Sequence, residues 1–315
     1  MMRISDFNRI IIFLALFLLA TLVLACSFDV TSTVETPTST SLDIITTTSS
    51  TQSVETITTI SNISFFGEPS LTPEIFAPNF ISTDTNFEFA GTFSADYNSF
   101  FFTRRALGGT NRIFYTEFVD GCWSLPALSP ISRDLDEFEP YITPDGKTIF
   151  FGSMRDGRSE YAFYQSDFVN GSWQTPIYSE TGLNQGFSMY VSVSSSGNIY
   201  FTGTNGIYVI RKLDGEFQPR VFTGVSGKHP YIALDESYML IDRGSGDASY
   251  IYITRKQNGY WSTPVKLGLE INQLGAEQIC SSVTPDGKYF FFSRYVEGTS
   301  NIYWVDASYL DQYFL

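Results

Sequence analysis

The sequence predicts an all-β fold, a closed ring of five four-stranded antiparallel sheets, and three observations carry that prediction. First, one phrase is written five times: TFSADYNSFFFTRR from Thr92, YITPDGKTIFFGSMR from Tyr141, SVSSSGNIYFTGT from Ser192, YIALDESYMLIDR from Tyr231 and SVTPDGKYFFFSR from Ser282. Aligned on the turn position, the copies fall at Asp96, Asp145, Ser196, Asp235 and Asp286. That is a period of about fifty residues with one shorter step, the signature of a radial array of small sheets. Second, an Asp-Gly or Asn-Gly pair recurs at the same place in each of the first four copies, just before Trp123, Trp173, Phe217 or Trp261 and a following proline; this is the strongest short-range hairpin signal. Third, the chain holds 29 Phe, 19 Tyr and 4 Trp, and no stretch after Cys26 repeats apolar residues at helical spacing over three turns. Sheets packed on two neighbours bury both faces and need such flat side chains.

The second copy shows how one unit is built. Pro140-Tyr141-Ile142 is extended, Pro144-Asp145-Gly146 turns, and Thr148-Ile149-Phe150-Phe151 returns as a β-branched and aromatic strand. Arg155-Asp156-Gly157-Arg158 turns again into Tyr161-Ala162-Phe163-Tyr164, and Asn170-Gly171-Ser172 leads to the fourth strand, Trp173 to Ile177. The fifth copy lacks a fourth strand: only Asp306 to Leu315 follow Val305. A matching segment, Pro69 to Phe76, lies ahead of the first copy instead and is expected to supply the outer strand of the last unit, leaving no long unpaired edge. The predicted architecture is a five-bladed β-propeller closed by its amino-terminal strand, spanning residues 65–315.

Residues 1–26 read as an export signal: Arg3 and Arg9 precede an apolar run from Ile10 to Leu19. Leu22-Val23-Leu24-Ala25-Cys26 resembles the lipobox of a bacterial lipoprotein signal, with Leu24 where a smaller residue is usual. The resemblance implies cleavage before Cys26 and a lipid on its thiol, hence a cell-envelope protein anchored to the membrane and facing outside the cytoplasm. Residues 27–64 are Thr/Ser-rich, without turn motifs or a core pattern, and are expected to form a disordered tether. A coil of that length spans about 35 Å.

The net charge is −14, so no basic footprint for nucleic acid exists. Cys122 and Cys280 are placed too far apart by the blade arrangement to bridge and are expected to be two free thiols. A single histidine, no nucleophile elbow, no phosphate loop and too few His and Cys for a zinc site leave no expected cofactor or metal. The turn acids are expected to bind backbone within their own turns. Arg104, Arg155, Arg243 and Arg294 recur at the end of the second strand and are expected to make a repeated structural bond to a turn acid.

Function is expected where the copies differ. The residues just ahead of each innermost strand are Ala90, Glu139, Tyr190, His229 and Cys280, with Glu88, Glu137, Ser188, Lys228, Glu277 and Gln278 beside them. Glu88, Glu137, Glu139, Tyr190, Lys228, His229, Glu277 and Gln278 are therefore the predicted channel-mouth site, with Glu137 and Glu139 as the candidate acid–base pair. The phrases Tyr141 to Lys147 with Phe150 to Arg155, and Thr284 to Lys288 with Phe291 to Arg294, resemble the WD40-like β-propeller repeats of the TolB type. The likeness extends to the segments at Trp123, Trp173 and Trp261, and it covers about residues 67–315, with the copy at Ser194 to Asn198 degenerate. It implies an extracytoplasmic propeller used for protein or glycan contacts and carries no catalytic residues. Two readings stand: a non-catalytic module binding an envelope protein or carbohydrate, and a glycan-active enzyme using channel carboxylates.

Overall fold

The computed structural model describes residues 66–133, 135–245, 248–296 and 298–314. The expected signal, the tether and Cys26 lie outside the described residues. The rest is nearly all strand, as expected, in antiparallel units that follow the copies of the sequence phrase. The first strands are Asn86–Phe93, Glu137–Ile142, Met189–Val193, Lys228–Ile232 and Glu277–Val283. The second strands are Ser99–Ala106, Thr148–Ser153, Ile199–Gly203, Tyr238–Ser245 and Tyr289–Val296, and the third are Arg112–Val119, Ala162–Val169, Gly206–Ile210, Ala248–Gln257 and Thr299–Asp306.

The fourth strand is broken, because the proline after each Trp-x-x cannot donate to a ladder. In the first unit Cys122–Trp123 and Ala127–Leu128 pair separately with the third strand, on either side of Pro126. The second and fourth units repeat this around Pro176 and Pro264. A hydroxyl on the third strand ties the break down: Ser166 Oγ donates to the Gln174 carbonyl at 2.6 Å and Thr254 Oγ1 to the Ser262 carbonyl at 2.7 Å. In the degenerate third unit, Lys212–Leu213 and Glu216–Phe217 peel off as a small ribbon, and Val221–Phe222 completes the sheet. Asp120, Asn170, Asp214 and Asn258 all take φ of 51–53°, and the glycine after each is also left-handed, the two-positive turn that matches strand twist.

Closure follows the expected route. Glu74–Ile75 pairs antiparallel with Thr299–Asp306, in the register Glu74 opposite Trp304. Each first strand touches the next, and the strand at Glu277–Val283 returns to Asn86–Phe93. A parallel bridge between Phe87 and Ser300 joins the fifth unit to the first. Phe76 is fully buried in this joint, edge-on to Phe100, Phe291 and Trp304 at 5.1–5.2 Å between centroids.

One element was not legible in the sequence. Ala307–Tyr313 forms a 3-10 helix capped by Asp306, which accepts the Ser308 N–H at 2.8 Å. It buries Tyr309 and Leu310, and Arg255 donates to its Tyr313 carbonyl at 2.9 Å. Among the described residues no helix is long and apolar enough to cross a membrane. Cys280 is free and buried, so no bridge links it to Cys122; the expectation of a second free thiol fails, because Cys122 is not free.

The turn acids behave as their chemistry dictates. Asp96, Asp145 and Asp286 each accept a hydroxyl and a backbone N–H of their own turn. The third unit has Ser196 at that position, and Glu236 of the fourth unit reaches over to supply the carboxylate. It accepts from Ser194 at 2.9 Å, Asn198 at 2.6 Å, Tyr200 at 2.8 Å and Lys256 at 2.9 Å. Burial opposes ionisation, but these donors prevail and hold the Glu236 carboxyl down to about 2 from an ordinary 4.5. The folded state therefore binds fewer protons than the unfolded state between those values. The stability Glu236 supplies is complete above pH 4.5 and is lost as pH falls toward 2. Glu236→Gln is expected to lower the melting temperature at neutral pH and to flatten its fall between pH 4.5 and 2. Parallel melting curves for variant and parent across that window would refute the assignment.

Candidate functional site

The five aligned residues Ala90, Glu139, Tyr190, His229 and Cys280 do converge, but not where the sequence suggested. They lie inside the first strands, not ahead of them. Each sits at a register shift against the second strand and takes a left-handed φ of 43–56°. A non-glycine residue in that region is strained and persists only where its surroundings hold it. The bulge turns each side chain onto the ring axis. All five are 2–7% exposed, so they form a sealed layer across the channel and not an open mouth.

A hydroxyl relay between units holds these bulges. Thr103 of the first unit accepts the Glu139 N–H at 2.8 Å, Thr202 of the third accepts the His229 N–H at 2.9 Å, and Ser293 of the fifth accepts the Ala90 N–H at 3.2 Å. The equivalent positions in the second and fourth units break the pattern. In the second it is Gly152, where an added Cβ would meet the Phe138 ring at 3.0 Å. With no hydroxyl there, Glu139 Oε2 accepts the Tyr190 N–H at 3.1 Å. In the fourth it is Asp242, which faces the His229 ring with Oδ1 2.7 Å from Nδ1. The polar centre exists because two of five repeats lack the hydroxyl.

His229 Nε2 stands 3.5 Å from Glu139 Oε1, and donor atoms of Glu139, His229 and Cys280 lie within 4.8 Å of one another. Tyr190 packs edge-on to the imidazole at 5.3 Å and donates to the Ser281 carbonyl at 3.0 Å. Burial works against the imidazolium, but the charge and hydrogen bond of Asp242 and the charge of Glu139 prevail and hold the ring up to about 10. Burial pushes the Cys280 thiol and the Tyr190 phenol well above their ordinary values. The sequence reading passed over Cys280 as a site residue and missed Asp242. Asp242 lies on a second strand, and no spacing rule connects it to His229.

The other predicted residues separate from this centre. Glu88 and Glu137 are fully buried one turn of the pleat away and are consumed by structure. Arg104 Nε donates to Glu88 Oε1 at 2.9 Å and Arg155 Nε to Glu137 Oε1 at 3.0 Å. Thr83 and Ser132 with the Arg133 N–H complete the two carboxylates. Burial pushes the Glu88 carboxyl up despite those bonds. Arg104, Arg155 and Arg294 each also donate to a buried linker isoleucine carbonyl, at Ile81, Ile131 and Ile271. Arg104 and Arg155 thus make a structural bond to an acid, on the first strand and not in a turn, whereas Arg294 donates only to carbonyls and Arg243 Nε to the Ser226 carbonyl at 2.6 Å, so the bond to an acid does not recur in every unit. In the third unit Gly203 leaves the place open and Arg220 fills it, donating to Phe187 O at 2.9 Å. Gln278 occupies the glutamate position of the fifth unit, buried, with Nε2 donating to Gln273 O at 3.1 Å. Lys228 is exposed and Glu277 half-buried. Of the candidate acid–base pair, Glu137 is buried in an ion pair with Arg155, while Glu139 faces His229.

No family model matches the chain, and no curated protein matches it in sequence. Solved structures give distant likenesses. A TolB-like protein from Agrobacterium tumefaciens is 15% identical over 67% of this chain and 71% of its own, with a TM-score of 0.45. TolB from Acinetobacter baumannii is 15% identical over 70% of this chain, at a TM-score of 0.44, and this chain spans about half its length, 54%. A puromycin-hydrolysing peptidase from Mycobacterium tuberculosis is 11% identical over 58% of this chain and 29% of its own, with a TM-score of 0.39. At TM-scores below 0.5, no activity or partner passes from these proteins to this chain; the propeller fold rests on its own strand pairing and ring contacts.

Proposed function

We propose that the chain is a five-bladed β-propeller that binds a protein or glycan without catalysing a reaction, tethered outside the cytoplasm by a lipid on Cys26 and residues 27–64. The observation that carries binding over catalysis is the fate of the carboxylates. Glu88 and Glu137 are fully buried against arginines, and Glu139 is sealed in the axial layer. A glycosidase needs two carboxyls facing a shared open cleft.

The contact surface follows from the topology. All second-to-third hairpins and all linkers into first strands emerge at one end of the sheets. Leu107, Leu135, Tyr161, Phe187, Leu274 and Tyr295 lie at that end and are 37–80% exposed. Tyr161 and Tyr295 are fixed by ring contacts to Phe138 and Phe87, so they present area at little entropic cost.

The test uses full-length protein on a glycan array and against envelope proteins. Tyr161→Ala with Phe187→Ala is expected to weaken a captured ligand about tenfold or more, whereas Leu128→Ser on the outer edge leaves it within about twofold. Hydrolysis of an array glycan that disappears in Glu139→Gln would replace binding with catalysis. Cys26→Ser is expected to move the protein from the membrane to the soluble fraction; an unchanged distribution would remove the lipid anchor.

A further inference from the structure

We propose that the axial layer is a site for a divalent transition-metal ion of the zinc class, ligated by Glu139 Oε1, His229 Nε2 and Cys280 Sγ. Three features carry it, independently of what the loop face binds. The donor set is one carboxylate, one imidazole and one thiol, which would bind as the thiolate, a mixture suited to a borderline-soft ion. The three atoms lie within 4.8 Å of one another, on three different units, in side chains 2–7% exposed.

The spacing is the second feature. Nε2 and Oε1 are 3.5 Å apart, long for a hydrogen bond between groups this close to charge. Two such donors sharing one tetrahedral ion, with metal–ligand bonds of about 2.0–2.2 Å, stand about 3.3–3.6 Å apart. The observed gap is that of a coordination edge.

The third feature is that each ligand is already aimed by an outer partner. Asp242 sits 2.7 Å from Nδ1 of His229, which leaves Nε2 to face the centre, and Ser249 Oγ donates to Asp242 at 3.4 Å. The Tyr190 N–H holds Oε2 of Glu139 and so presents Oε1. A carboxylate behind a ligating imidazole and a donor on the free carboxylate oxygen are the outer shell that metal sites use. No lysine or arginine among the described residues pairs with Glu139 or Asp242 to offset their charge. A cavity of about 40 Å³, lined by Thr92, Tyr141, Tyr231 and Ser282, lies one to three residues further along the same strands.

The experiment is cobalt(II) titration of the full chain, followed by its absorption spectrum, with zinc(II) as competitor. The expected result is one ion per chain, with a thiolate-to-cobalt charge-transfer band that zinc abolishes. The band is lost in Cys280→Ser and in His229→Gln and kept in Cys26→Ser. Asp242→Asn weakens binding by about 10–100-fold. Melting curves of each variant without metal establish that it folds, and Cys280→Ser decides the question even where His229→Gln does not. Absence of saturable binding, or a band that survives Cys280→Ser, would overturn the assignment and leave an imidazolium held between two carboxylates.

Discussion

Deleting residues 67–83 is expected to abolish the cooperative melting transition and drive the protein to aggregate. This stretch supplies Glu74–Ile75, the outer strand of the fifth unit, together with Phe76, Ile81 and the backbone that receives Arg104. Without it Thr299–Asp306 becomes a long apolar edge with unpaired N–H and C=O groups, a template for pairing with another chain. A point substitution isolates the packing part of the effect. Phe76→Ala removes a side chain with no solvent exposure that touches rings of both the first and fifth units. It is expected to cost about 3–5 kcal/mol, measured by urea denaturation. A deletion variant that melts at the parent temperature would mean that the ring does not depend on this strand.

Arg155→Ala is the second large effect. The guanidinium and the Glu137 carboxylate are 1% and 0% exposed, and the pair is further bonded to Ser153 Oγ and the Ile131 carbonyl. Removing one partner strands a charge in the interior and is expected to cost about 3–5 kcal/mol. Replacing both, as Glu137→Leu with Arg155→Met, is expected to cost much less, because the desolvation penalty leaves with the charges. Equal losses in the single and paired variants would show that packing of the arginine stem on Phe151 and Tyr164 dominates instead.

Much of this molecule was legible before any coordinates. The turn pairs at Asp120, Asn170, Asp214 and Asn258 encode their hairpins locally, because only a left-handed pair closes them without splaying the strands. The borrowed outer strand was legible too, since a missing segment at one end and a surplus one at the other leave a single economical pairing. The site was legible only in outline. The alignment picked out Glu139, Tyr190 and His229 because they differ between copies, yet by the same alignment it swept in Glu88 and Glu137, whose partners Arg104 and Arg155 sit sixteen and eighteen residues away. Nothing in one strand states which of two neighbouring carboxylates points to an arginine and which to the axis.

Local chemistry therefore determined the repeat, the hairpins, the all-β character and the role of the turn acids, because each depends on residues within a few positions of one another. The depth and composition of the axial layer were decided only in three dimensions. A one-residue bulge rotates Glu139, His229 and Cys280 onto a common axis, and Asp242 joins them from a second strand across the sheet. Such a meeting depends on the closure of the ring, a property of all five units together and of no segment alone.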